Sequence, residues 1–405
     1  MPESAPLAGI RVIDAGTRIS APFCAGLLGE MGADVIKIED PNVGDFMRTV
    51  GPFVTADDGS AYSLWWAVEG RGRRSITLNL RKAKGQDLFR RLVASADVVC
   101  ENFRPGTMEA WDIGPAECDP RLVWARISVF GQDGPYSTRP GLDRMGIAYG
   151  GLLNITGFPE HPPVRPGITI SDYLTGVFAA QAVLAALYRR DAGTEHSTPG
   201  HGAVIDAPLY AAVLRVLEWT LAGQDVLGRT RQRQGNRLDT SAPVDNYPTA
   251  DGRYICIVAG SDANFRRLCD AMGQPELASS PEWATLALRA ARSDRINDIV
   301  AAWTSTLTAA EIERICIAKG VPVATAYDAS EILTDPHMKE RGDFVTVDDP
   351  IAGPHLQQAP FPRIDGAGTV PSGAPLLGQH NREVWCEMVG LSDAEFEDLQ
   401  ADGVI

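Results

Sequence analysis

Residues 9–39 read GIRVIDAGTRISAPFCAGLLGEMGADVIKIE, and the reading of this stretch decides the fold. Gly9–Asp14 is a short apolar run that predicts a buried strand, Phe23–Met31 predicts a helix that Gly32 ends, and Asp34–Glu39 predicts a second buried strand. Strand, helix and strand in so short a span form a βαβ unit, whose crossover leaves the two strands parallel. The alternation continues outward from it, with strands expected at Ser75–Leu80, Ala96–Cys100, Leu122–Phe130 and Ala203–Asp206. Helices are expected at Gly85–Ala94 and Ala207–Leu221. The first half of the chain therefore predicts a wound, largely parallel α/β sheet.

Sheets of this kind take ligands beyond the carboxyl ends of their strands, which here are Asp14–Arg18, Glu39–Pro41 and Glu101–Gly106. No G-x-G-x-x-G follows the first strand and no G-x-x-x-x-G-K-[ST] occurs, so the commonest nucleotide fingerprints are absent. The densest basic run, Gly70-Arg71-Gly72-Arg73-Arg74, precedes a predicted strand, and Arg104 follows another. Guanidinium groups so placed suit phosphates, and they equally suit a solvated loop.

A second stretch, Gly167–Arg190, reads GITISDYLTGVFAAQAVLAALYRR. Leu174, Val177, Phe178, Ala182, Leu184, Leu187 and Tyr188 recur at helical spacing and predict the buried face. Ser171-Asp172 reads as a cap, and Arg189-Arg190 suits the carbonyl end. At a helix start the dipole and the first-turn N–H groups favour an ionised Asp172, and an anion held still can be a nucleophile. Asp before an apolar helix is ordinarily only a cap, so the surroundings must decide its role.

The chain has 405 residues, 44% hydrophobic and 22% charged, and a net charge of −15. This describes a globular protein of two or three domains and argues against nucleic acid or an anionic membrane as the general partner of its surface. The longest apolar run, Leu174–Leu187, reads as too short to span a bilayer. With no export signal visible, the protein is expected in the cytoplasm. Seven scattered cysteines without C-x-x-C predict reduced core thiols, and six unclustered histidines give a metal site no support.

The texture turns polar near residue 223, which places a boundary after a large domain, 1–222. A smaller α-rich domain, 223–330, is expected to carry a strand at Tyr254–Val258, helices at Asp262–Met272, Pro281–Ala290, Asp294–Thr304 and Ala309–Lys319, and a strand at Val321–Ala326. Residues 331–405 form a C-terminal arm, in which eleven of the residues from Pro350 to Gly378 are Pro or Gly, too many for regular elements. Such an arm gains stability by lying on the first domain or on a second subunit. Helices near His380–Met388 and Ser392–Leu399 close the chain.

Taken together, Val12-Ile13-Asp14 with Ala21-Pro22, Gly32–Glu39, Arg71–Ile76, Glu101–Gly106 and the Asp172 segment resemble, in order and nearly end to end, the family III CoA-transferases. That family also contains 2-methylacyl-CoA racemases and carnitine CoA-transferases. The resemblance implies a Rossmann-like large domain with a smaller α+β domain, and an interlocked-ring homodimer in which the C-terminal arm returns to the large domain and wraps the partner. It implies a substrate pair of acyl-CoA and free carboxylic acid, with no permanently bound cofactor. Coenzyme A would be held by residues matching Ile19, Ser20, Gly70, Arg71, Gly72, Arg73, Asn102, Phe103 and Arg104, and Asp172 matches the catalytic aspartate. N–H groups at the start of the Asp172 helix are then candidates for an oxyanion.

Two departures bear on activity. Racemase members carry a histidine where this chain has Leu142, in Gly141-Leu142-Asp143, and leucine cannot exchange a proton. Formyl-CoA transferases have a glutamine where Ile19 stands, a basic residue in place of Asp40, and a glycine-rich loop where this chain has Gly235–Thr240. Asn236 and Arg237 in that loop are candidates to face the carboxylate of an acceptor acid, so Arg237→Ala is expected to raise KM for a dicarboxylate.

Overall fold

A computed structural model describes residues 5–192, 200–364 and 370–405, so the expected arm's residues 365–369 lie outside the described residues. The chain divides into two compact units. The first contains Met1–Leu152, Pro166–Glu218 and Arg341–Ile405, and the second contains Leu153–Arg165 and Trp219–Glu340.

The first unit is built on six parallel strands. Numbered along the chain they are β1 (Arg11–Asp14), β2 (Asp34–Glu39), β3 (Arg74–Thr77), β4 (Val98–Glu101), β5 (Val123–Ser128) and β6 (Ala203–Pro208), in spatial order 3-2-1-4-5-6. Val12, Ile13, Val98, Val99, Cys100, Val123 and Ala125 are fully buried, as expected of inner strands covered on both faces. The chain winds outward in opposite directions from β1 and β4, so a crevice opens beyond their carboxyl ends.

Helix α1 (Ser20–Glu30) begins three residues before its expected start. Pro22 falls in its first turn, where a missing N–H costs nothing because that donor has no intrahelical partner. Helix α2 (Asp143–Tyr149) is short and was not expected from the periodicity; helix α3 (Ile170–Ala192) packs on α1, β5 and β6. Its 23 residues, which extend beyond the apolar run Leu174–Leu187, are by length and composition enough to cross a membrane, yet the helix is built into this unit's core.

The buried face of α3 also differs from the expected one. Thr175, Gly176, Ala179, Ala180, Val183 and Ala186 are buried along with Leu187, whereas Val177 and Tyr188 are exposed. Small side chains let α3 approach α1 closely: a Cβ on Gly176 would stand 3.0 Å from the Ser20 carbonyl and 2.9 Å from the Phe23 ring. Close approach therefore decided which face is buried, ahead of side-chain hydrophobicity. The helix expected at Ala207–Leu221 breaks after Arg215 and resumes at Thr220, with Glu218 at φ 53° between the two pieces.

The C-terminal segment covers the edge of β3. The Ser75 and Thr77 N–H groups donate to His380 Nδ1 and Asn381 Oδ1, and Asn79 N–H donates to the Val404 carbonyl at 2.7 Å. Val384, Trp385, Phe396 and Ile405 complete the core beneath it. Part of the stretch expected to be irregular is regular, because Gly353–Gln358 pairs antiparallel with Phe344–Asp349.

The second unit contains a three-stranded antiparallel sheet, Val323–Thr325, Tyr254–Val258 and Val244–Pro248 in spatial order, with helices Asp262–Met272, Ser293–Thr304 and Ala309–Lys319. Its core gathers Ile255, Ile257, Phe265, Leu268, Ile296 and Val300. Arg289 is fully buried there and donates to the carbonyls of Ala242, Trp283 and Gly260.

Candidate active site

Two cavities open over the carboxyl ends of the large sheet. One of about 340 Å³ lies over β1, β2 and β3, between the Ala15–Thr17 turn, Glu39, Phe46, Leu78 and Trp111. The other, about 530 Å³, lies over β1, β4 and β5 and has Asp172 in its wall, with Arg18, Ser20, Asn102, Arg104 and Leu142. Thr17 and Phe103 line both cavities.

The turn between the cavities is pinned from below. Lys37 at the centre of β2 is buried, and its Nζ donates to the Gly16 carbonyl at 2.5 Å and pairs with Asp45 at 2.9 Å. Asp45 in turn accepts from the N–H groups of Arg18 and Met47. Asp14 accepts from Arg73 at 2.7 Å and from the Gly16 N–H. Asn102 closes the turn from the side, accepting from the Thr17 N–H at 2.9 Å and donating to the Thr17 carbonyl at 2.7 Å and to Ser20 Oγ. A Cβ on Gly16 would stand 2.7 Å from Ala21 Cβ, so only glycine fits where the turn folds back on α1.

Asp172 lies in the first turn of α3 and does not cap it. The Ser171 N–H and hydroxyl both donate to buried Asp143 of α2, at 2.9 and 2.8 Å, so the capping anion comes from another helix. The Tyr173 N–H is bonded to the Thr169 carbonyl, and with Ser171 also engaged, two of the N–H groups expected to serve an oxyanion are already taken. Asp172 itself is half-buried. Burial, reinforced by the like charge of Asp143, pushes its carboxyl up to about 7, while a hydrogen bond from Ser20 and the charge of Arg18 pull it back. Loss of solvent thus works against the ionised form that the helix start was expected to favour.

Asp172 and the coenzyme-site residues expected from the sequence divide into two groups. Ser20, Asn102, Phe103, Arg104 and Asp172 are brought together in the larger cavity. The other group does not line either cavity of the first unit. Ile19 packs with Met47, Trp66 and Ala374. Arg71 pairs with Glu30 at 2.6 Å and donates to Gln357 and to the Gln358 carbonyl. Arg73, buried, is spent on Asp14 and on the Pro22 carbonyl, and Gly70 and Gly72 belong to the same turn, the Gly72 N–H donating to Ser372. A basic run in sequence is thus an internal ion-pair cluster in space.

Asn236 and Arg237 line a cavity of about 500 Å³ within the second unit. Arg237 pairs there with Asp245 at 2.7 Å, Asp294 at 2.5 Å and Asp298 at 3.9 Å, and Glu160 adds further negative charge to the walls, while Asp239 is paired with Arg229. That field opposes an incoming carboxylate, which departs from the role expected of Arg237. Sequence reading missed Asp143 and Arg18. Arg18 stood within a strand end already marked as a ligand site, but nothing in the sequence separated it from its neighbours.

The sequence profile of CoA-transferase family III matches residues 7–381. The chain belongs to CoA-transferase family III. It is 42% identical over 404 residues to a succinyl-CoA–D-citramalate CoA-transferase of Chloroflexus aurantiacus, covering 99% of this chain and 98% of that protein. It is 34% identical to a succinyl-CoA:mesaconate CoA-transferase of Haloarcula marismortui, covering 93% and 94% of the two chains. A crystal structure of a CaiB/BaiF family protein from Brucella suis matches with a TM-score of 0.82 at 31% identity, over 95% of this chain and 99% of that one. As a family III enzyme the protein moves coenzyme A from an acyl-CoA donor to a free carboxylic acid.

Proposed function

We propose that Asp172 is the nucleophile of this transfer, that the donor is succinyl-CoA, and that the acceptor is another short dicarboxylic acid. The observation that carries the reading is a half-buried carboxylate in the wall of a cavity, beside the Ser20 hydroxyl, at the switch point of the sheet. A carboxyl whose pKa is raised to about 7 is a stronger nucleophile when ionised than an ordinary one.

An Asp172 oxygen attacks the thioester carbonyl, and the C–S bond breaks to give a mixed anhydride and the coenzyme A thiolate. The thiolate attacks the aspartyl carbonyl, the donor acid leaves as its carboxylate, and an aspartyl-CoA thioester remains. The acceptor carboxylate attacks that thioester and releases the thiolate, which takes the acceptor's acyl group and returns Asp172 to its starting form. Holding the coenzyme throughout keeps the thiolate at high effective concentration.

Ser20, Asn102, Phe103 and Arg104 would hold the coenzyme, Ser20 also orienting Asp172. The donor and acceptor are inferred from relatives whose names pair succinyl-CoA with citramalate, malate or mesaconate. A Rossmann-like large domain, an interlocked homodimer with the C-terminal arm on the partner, and a cytoplasmic location complete the proposal. Racemisation is disfavoured, because Leu142 presents no proton donor to the Asp172 cavity.

The test is mass spectrometry of the protein after incubation with succinyl-CoA, beside Asp172→Ala. A coenzyme A adduct on the wild type alone is the expected result; an adduct of equal yield on the variant would remove Asp172 from the chemistry.

A further inference from the structure

Arg18 occupies an unusual position. Its φ of 65° puts a non-glycine residue in the left-handed region, a conformation that costs about 1–2 kcal/mol and persists only when its surroundings over-determine it. Here they do so through charges buried below the turn: Asp45 holds the Arg18 N–H, and Lys37 holds both Asp45 and the Gly16 carbonyl. The residue so held lines the cavity that has Asp172 in its wall.

The guanidinium lies 3.7 Å above the Phe46 ring. Stacking on a ring face fixes the plane of a guanidinium and does not use its N–H groups. Arg48, Arg71, Arg73, Arg74 and Arg126 of the same unit are all paired with carboxylates, whereas Arg18 has no carboxylate partner among the described residues. Arg104 and Arg139 also line the cavity, Arg139 stacked on Tyr136; of the three, Arg18 alone has its backbone held in the left-handed region, and its charge favours the ionised form of Asp172.

We propose that Arg18 is the specificity residue that receives the distal carboxylate of a dicarboxylic substrate while its other carboxyl group reacts at Asp172. The inference rests on the dicarboxylate reading above and gives it a residue. A guanidinium fork matches a carboxylate with two parallel hydrogen bonds, and two methylenes keep the far end of a succinyl group near its reacting end. A monocarboxylate of the same length would leave the fork unpaired in a partly dry cavity, so such a site rejects it. Arg237, already enclosed by carboxylates, cannot supply this selection.

The experiment compares succinate with butyrate on wild type, Arg18→Met and Arg18→Lys, by equilibrium binding to the protein saturated with coenzyme A and by CoA transfer to each acid. Thermal melting of each variant checks that it is folded. The expected result is that preference for succinate over butyrate falls about tenfold to a hundredfold in Arg18→Met and is partly kept in Arg18→Lys. An unchanged preference, an equal loss for both acids, or weakened binding of coenzyme A with succinate unaffected would overturn the proposal. The last outcome would show the guanidinium gripping a phosphate. A binding preference that depends on Arg18 in a protein that moves no coenzyme A would refute the transfer reading and leave this one standing.

Discussion

Replacing Asp172 with asparagine should stabilise this protein at neutral pH while ending its chemistry. Burial and the neighbouring Asp143 charge lift the Asp172 carboxyl to about 7, so between pH 4 and 7 the folded state holds a proton that the unfolded chain has released. Stability contributed by this group is therefore greatest in acid and falls as pH rises through that window. About three pH units at 1.36 kcal/mol each set a ceiling of about 4 kcal/mol. The cavity is open to solvent, so about 2–3 kcal/mol is the working figure. Asparagine keeps the shape and can still meet Ser20, yet carries no charge to desolvate. Unfolding of wild type and Asp172→Asn by heat, or by urea, at pH 4.5 and pH 8 measures the difference. The variant should gain several degrees at pH 8 and little or nothing at pH 4.5. A gain of the same size at both pH values, or none at pH 8, would show that the carboxylate is not strained by burial, and the reasoning about its reactivity would fall with it.

The same ionisation should appear in catalysis, with kcat/KM for succinyl-CoA rising to a plateau through an apparent pKa near 7; a profile flat from pH 5 to 8 would contradict it. Lys37→Met leaves Asp14 and Asp45 facing each other without their shared cation, so a loss of about 3–5 kcal/mol is expected by urea titration. Arg237→Ala should cost about 1 kcal/mol or less, since its ion pairs are partly exposed, and should leave KM for a dicarboxylate within about twofold, as steady-state kinetics can determine. Deuterium from solvent should not enter the α-carbon of an acyl-CoA incubated with the enzyme, because Leu142, in the cavity wall with Asp172, cannot exchange a proton.

Several elements were legible in the chain alone. Asp34–Glu39, Tyr254–Val258, Asp262–Met272 and Ala309–Lys319 fall where periodicity and capping residues put them, since each is a short run whose pattern, cap and stop agree. The buried face of α3 was not legible. Hydrophobicity pointed to Val177 and Tyr188, but helix-to-helix distance selected glycine and alanine. The hairpin at Phe344–Gln358 was hidden by Pro354 and Gly353, which sit at its turn and in its two-stranded ladder.

By itself the sequence determined the βαβ winding, the family and the place of Asp172 at the head of a long helix, because these follow from local pattern and from motifs kept in order. Tertiary structure alone decided which charges face a ligand. Arg71 and Arg73 share a run that looks built for phosphate, yet folding spends them on Glu30 and Asp14, while Arg18 lines the Asp172 cavity with no carboxylate partner among the described residues. The physical reason is that an arginine's role depends on which carboxylates lie within about 4 Å of it, and those partners come from distant parts of the chain.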